Sequence, residues 1–342
     1  MSQPQPPSPP AFPTFPAFPK GLPLYSAFVA ASVVFLICIG ALVTSFNAGM
    51  SVPDWPTSYG YNMFTFPIQK WIGPIFYEHT HRLVASVVGL FTVILAGWVW
   101  LKEPRPWVRK LAVFAVALVI LQGVVGGIRV IKAQQDYGIV HGTLAQLFLV
   151  TTGLLALVYS RNWRVLPSNG ARLPKGWEQG IAFVSALIFC QLILGAVMRH
   201  QHAGLSIPDF PTVYGHVVPH VTEADLVRIN AHRQQAGQVP TSLVQIYLQV
   251  AHRAMALVIL SGIIAATLAI FRCRQSPPHL RFLSGIWTGL VCLQVALGMT
   301  VIWSQKNPFI TSLHVVTGAL LLLVGSHLTF LIIHWRRMEK LR

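Results

Sequence analysis

The chain has 342 residues, of which 54% are hydrophobic and only 10% charged, with a mean hydropathy of +0.59. That is too apolar for a water-soluble domain of this size and indicates an integral membrane protein. The formal charge of +16 raises nucleic acid as a partner, but the basic residues sit beside apolar segments and argue for membrane orientation, so no nucleic acid is expected.

In chain order, residues 1–25 come first, opening "MSQPQPPSPPAFPTFPAFPK". Continuous proline and the lack of a basic n-region make this neither a signal peptide nor a helix, and the expectation is a disordered cytoplasmic tail. Windows of about 18 to 25 apolar residues, enough to cross a ~30 Å hydrocarbon core, then follow at 26–47, 79–101, 108–131, 139–160, 179–199, 246–271, 281–303 and 311–334. No strand-like alternation competes with these eight helices. Lys102, Arg105, Arg109 and Lys110 follow the second helix, and Arg161, Arg164, Arg172 and Lys175 the fourth. Arg272, Arg274 and Arg281 follow the sixth, and Arg336, Arg337, Lys340 and Arg342 the eighth. Every cluster falls on one side, which the positive-inside rule makes cytoplasmic. Both termini of this multi-pass inner-membrane protein are therefore expected in the cytoplasm, with segments 48–78 and 200–245 facing outward. Cys38, Cys190, Cys273 and Cys292 lie in or beside apolar helices, and no disulfide is expected.

Residues 51–60 read "SVPDWPTSYG" and residues 206–215 read "SIPDFPTVYG". Gly40 and Ala41 match Gly195 and Ala196, Gln122 and Gly126 match Gln294 and Gly298, and His81-Arg82 matches His252-Arg253. The chain is therefore duplicated, and because each half holds an even number of helices the repeats are parallel. The predicted fold is an all-α integral membrane protein whose eight transmembrane helices form two pseudo-symmetric four-helix bundles, at 26–165 and 166–342.

The repeat sorts the thirteen histidines. Only His81, His141, His252 and His314 recur as mates, near the outer ends of the second, fourth, sixth and eighth helices. Two imidazoles on opposed helices can ligate a haem iron from both faces inside a bundle, whereas a structural zinc needs four ligands and finds no mated carboxylate or cysteine here. The metal ligands predicted are thus His81 with His141 and His252 with His314. A single His in such a place is an ordinary interfacial residue; it is the duplication that favours ligation. Arg82 and Arg253 are placed either to meet haem propionates or to snorkel to lipid phosphate. His200, His202, His216 and His220 read as an ordinary polar loop.

In "YEHTHRLVAS" at 77–86, Glu78 precedes His81 by three residues and shares its helix face. Its repeat mate is the neutral Gln249. An acid confined to one half suits a catalytic proton acceptor or charge stabiliser at that half's haem; the alternative is an interfacial carboxylate partnered by a nearby Arg. His79, whose mate is Val250, is not expected to be a ligand.

With its "EHTHR", "HGTLAQ", "AHR" and "LHVVTGA" histidines and its "PDWP" and "PDFP" loops, the chain resembles the haem A synthase family (CtaA/Cox15-type) from about residue 26 to 334. The resemblance implies oxidation of the haem O C8 methyl to a formyl group, giving haem A for cytochrome oxidase. It implies resident haem b on His252 and His314 with Arg253, and substrate haem O at His81 and His141 with Arg82. Haem O synthase and cytochrome oxidase assembly factors are the neighbours it suggests, with membrane lipid around them. Some relatives carry cysteine pairs in the outer loops, and none stands in segments 48–78 and 200–245 here. A di-haem quinol-type cytochrome b, or a haem exporter or chaperone, would use the same histidines. The electron acceptor or donor is not legible.

Overall fold

A computed structural model of the chain describes residues 19–134, 136–164, 173–217 and 220–340. Residues 1–18, Arg172 and Arg342, named above for the tail and the basic clusters, lie outside the described residues. Eight helices are long and apolar enough to cross a membrane: α1 (Gly21–Ser45), α2 (Gly73–Lys102), α3 (Pro106–Lys132), α4 (Tyr137–Tyr159), α5 (Trp177–His200), α6 (Leu243–Arg272), α7 (Pro278–Trp303) and α8 (Pro308–Lys340). All eight expected spans are present. Among the described residues there is no strand, only two isolated bridges, Ser58–Tyr61 and Val213–His216, at matching places in the repeat.

Helix starts follow local chemistry. Proline lies within the first two positions of α2, α3 and α7, where its missing N–H costs no intrahelical bond. Pro23 falls in the first turn of α1 for the same reason, so residues 21–25, expected in the tail, are helical. Ser242 and Gln245 form a capping box at the start of α6. α8 runs past the expected residue 334 to Lys340, and its extension is held where the Arg336 side chain pairs with Glu178 at 2.5 Å and His334 stacks on Trp163 at 4.0 Å.

α1 packs on α2 and α4, and α3 closes that ring; α8 packs on α5 and α7, and α6 closes a second ring. This pattern is consistent with two four-helix bundles side by side. They adjoin along α1, α4, α5 and α8, and α4 and α8 are the most buried spans, with 56% and 61% of their apolar windows enclosed. Small residues permit the close approach: a Cβ on Gly153 of α4 would lie 2.3 Å from Leu323 Cδ1 of α8. On the face carrying the termini, Glu103 is fully buried, accepting from Arg105 Nε at 2.7 Å and the Tyr159 hydroxyl at 2.9 Å. Burial alone would raise its carboxyl, but these donors outweigh it and hold the group below its ordinary value. The four cysteines are free.

The opposite face carries the long connections, which are more built than a polar loop. Residues 223–235 form a helix, Glu223–Gln235, behind a Thr222–Asp225 capping box. Each "PDxP" segment folds around its aspartate. Asp54 accepts from the Thr57 hydroxyl at 2.5 Å and from the N–H groups of Tyr59 at 2.6 Å and Gly60 at 2.9 Å; Asp209 does the same with Thr212, Tyr214 and Gly215.

Candidate haem sites at the outer ends of the bundles

His81 enters from α2 and His141 from α4, one to two turns inside their helices, with ring centroids 6.4 Å apart and planes crossing at 77°. Two metal–imidazole bonds of about 2 Å each take up most of that gap. The pair is therefore spaced for one iron between the rings. His252 and His314 enter from α6 and α8 at the matching places of the second half. In all four rings Nδ1 is buried without a hydrogen-bond partner.

Each imidazole also faces a glycine on the neighbouring helix. A Cβ on Gly40 would come within 3.1 Å of His81 Cε1, and one on Gly126 within 3.3 Å of His141 Cε1. In the second half the same distances are 3.4 Å from Gly195 to His252 and 3.2 Å from Gly298 to His314. These glycines had been recognised as repeat mates, but not as seats for the rings. Only their recurrence beside the histidines could have signalled it. The glutamine mates diverge: Gln122 donates to the His141 carbonyl at 3.0 Å, while Gln294 Nε2 lies 3.3 Å from His314 Nε2. Gln191, which has no glutamine mate, donates to the His252 carbonyl at 2.9 Å.

The donor set fits a haem. Each site offers two neutral-capable imidazoles, and no three His, Cys, Asp or Glu gather into a metal-binding group among the described residues. Iron in a porphyrin needs only the two axial donors from protein.

Glu78 is buried and engaged. Its Oε2 accepts the N–H groups of Ser51 at 2.6 Å and Val52 at 2.9 Å, and its Oε1 takes Arg82 Nη2 at 2.7 Å. Gln249 occupies the same place in the other half, its Oε1 accepting the Ile207 N–H at 2.8 Å. Arg82 donates through Nη1 to the carbonyls of Asp54 and Thr57 at 2.7 and 3.0 Å, and through Nη2 to that of Val52 at 2.8 Å. Arg253 repeats this on Thr212, Asp209 and Ile207 at 3.0, 2.8 and 3.4 Å. Both arginines thus clamp an outer loop onto its bundle; Arg82 uses all its terminal N–H positions there, whereas Arg253 keeps one Nη1 hydrogen and its buried Nε unpaired among the described residues. His79 lies under the first loop, its Nδ1 3.0 Å from Ser58 Oγ and its ring against Phe66 and Trp71.

The COX15-CtaA family, described as cytochrome oxidase assembly protein, matches residues 24–325. The chain belongs to this family. It is similar to proteins named heme A synthase: 24% identical over 326 residues to that of Geobacillus kaustophilus, covering 93% of each chain. The Halalkalibacterium halodurans protein is 24% identical over 310 residues, 88% of this chain and 94% of its own. The Alkalihalophilus pseudofirmus protein is 30% identical over 209 residues, 58% of this chain and 67% of its own. Membership bears on both bundles, because the match runs from α1 into α8.

Proposed function

We propose that the chain is a haem A synthase of the inner membrane, with both termini in the cytoplasm, that oxidises the C8 methyl of haem O to a formyl group. The N-terminal bundle, 26–165, takes haem O between His81 and His141, and the C-terminal bundle, 166–342, keeps a resident haem b between His252 and His314. The observation that carries this reading is the opposed His81–His141 pair, 6.4 Å between centroids, with each ring seated against a glycine.

When bound, haem b supplies one-electron transfer. The protein's own residues hold the substrate and manage protons. Arg82 and Arg253 fix the two loops over the outer ends of the bundles, which restricts water at the sites. With water as the oxygen donor, taking a methyl to an aldehyde releases protons together with electrons that pass to a membrane electron acceptor, and Glu78 is the buried acid beside His81 that has no acidic mate in the other half. Three of the roughly four acceptor positions on a carboxylate are occupied in Glu78. One on Oε1 is left to take a proton or a water. Haem O synthase would deliver the substrate, and cytochrome oxidase assembly would consume the product.

The test is extraction of pigment from the purified full chain. Haem O or haem A together with haem b is the expected result; two tightly held haems b, with neither O nor A, would make the protein an electron-transfer cytochrome instead.

A further inference from the structure

Four basic side chains meet on the loop face where the bundles adjoin. Arg129 is in the last turn of α3, Arg199 and His200 end α5, and Lys306 lies in the connection from α7 to α8. Arg129 and His200 crowd the same glycine, Gly138; Arg199 and Lys306 lie within charge range of this pair, as Asp136 does of His200. No ion pair joins Arg129, Arg199 or Lys306 to an acid among the described residues. Arg199 donates only to a neutral hydroxyl, Ser45 Oγ, at 3.2 Å. The Nε of Arg129 is buried with no hydrogen-bond partner among the described residues.

The guanidinium of Arg129 is held in place by two glycines. A Cβ on Gly49 would lie 2.9 Å from its Nη2, and one on Gly138 3.4 Å from its Cζ; Gly138 also seats His200, at 2.5 Å from Cε1. Its charge reaches both His81 and His141. A cation at a helix C-terminus is favoured by the helix dipole, which accounts for one such residue per helix. It does not account for three elements converging their basic groups while the acids in range, Glu78 for Arg129 and Asp136 for His200, form no ion pair with them among the described residues, an arrangement that self-repels unless an anion fills it. The cluster is also not duplicated. The repeat places Val301 opposite Arg129, Thr44 opposite Arg199 and Ser45 opposite His200, so whatever it binds belongs to one haem site and not to both.

We propose that Arg129 and Arg199, with His200 and Lys306 around them, receive the two carboxylates of the haem held by His81 and His141, and so select a free porphyrin diacid over one whose acids are masked. This rests on the reading of that pair as the substrate site. It transfers to Arg129 and Arg199 the propionate contact expected of Arg82. A lipid phosphate offers the same anionic oxygens, and the experiment separates the two sources.

Haem O and its dimethyl ester are titrated into the purified full chain in detergent micelles, following the low-spin absorbance of paired imidazole ligation. The wild type should bind the diacid about tenfold or more tighter than the diester, the usual scale of a charge-assisted hydrogen bond. Arg129→Gln and Arg199→Gln should each remove most of that preference by weakening the diacid alone, because the diester reports on the histidines. Arg129→Lys keeps charge and bulk and should keep much of the preference, so the outcome does not hang on the folding of the glutamine variants. Equal binding of diacid and diester by the wild type overturns the proposal and leaves phosphate as the occupant. A preference that survives both glutamine substitutions overturns it as well. Failure of both porphyrins to give a low-spin spectrum in the wild type brings down the substrate-site reading itself.

Discussion

At the scale of single residues, the glycines opposite the histidines set the space that each imidazole occupies. Gly40→Ala would place a Cβ 3.1 Å from His81 Cε1, so the ring must shift by a few tenths of an ångström. Crowding that turns the imidazole away from its partner should weaken haem binding. Gly195→Ala, at 3.4 Å from His252, should be milder. Haem titration of the two variants checks this, and equal tolerance would mean that the rings are not seated by the glycines. Glu78→Gln is expected to lower haem A formation by about tenfold to a thousandfold while the haem on His252 and His314 is retained, as pigment analysis of membranes would show. The amide's NH2 would also meet the N–H donors of Ser51 and Val52 or Arg82, so some loosening of the first loop should accompany the loss of activity. The histidines were legible because duplication singled them out among thirteen. The committed arginines were not, because sequence places Arg82 next to His81 without saying that the loop folds back to offer it three carbonyls.

At the scale of elements, the two outer loops are the same device built twice, and they differ at the acid. Arg82 pairs with a buried carboxylate at 2.7 Å, whereas Arg253 meets carbonyls and the Phe210 ring. Removing one partner of a buried pair leaves an uncompensated charge, so Arg82→Ala should cost about 3–5 kcal/mol. Arg253→Ala forfeits hydrogen bonds to a charged group, about 1.5–3 kcal/mol. Thermal unfolding in detergent gives the order, and the reverse order would show that Glu78 is not compensated by Arg82. Both loops also turn on aspartates. Burial would raise Asp54 and Asp209, but the hydroxyl and backbone donors around each outweigh it and hold both below the ordinary carboxylate value. A carboxyl depressed in the folded state stabilises above its unfolded value, about 3.9, and that contribution is lost as pH falls through the folded value. Pepsin cleavage within 51–60 and 206–215 should therefore rise steeply below about pH 4; cleavage independent of pH there would contradict the aspartate turns. All eight helices were legible from apolar length. The helix Glu223–Gln235 was missed because its apolar face is short, with Leu226 and Ile229 packing on the loop cluster, although "TEAD" at 222–225 carries its capping signal.

At the scale of the whole molecule, one sequence repeat yields two sites that share ligands and differ in their electrostatics. The N-terminal site has Glu78, and on its bundle Arg129 reaches both ligands; the C-terminal site has Gln249 and, opposite Arg129, Val301. The repeat itself was readable from "PDWP" and "PDFP". The convergence of Arg129 with Arg199 was not, because it depends on how the bundles adjoin, which no repeat within a half encodes. The central claim is that the halves divide the labour, with haem b resident on one side and haem O processed on the other. The measurement that tests it most directly is the haem content of purified wild type, His81→Ala and His252→Ala, extracted and separated by type. The account predicts that His252→Ala loses haem b, while His81→Ala keeps haem b and loses haem O and haem A. Loss of haem b from His81→Ala with full retention in His252→Ala would contradict it.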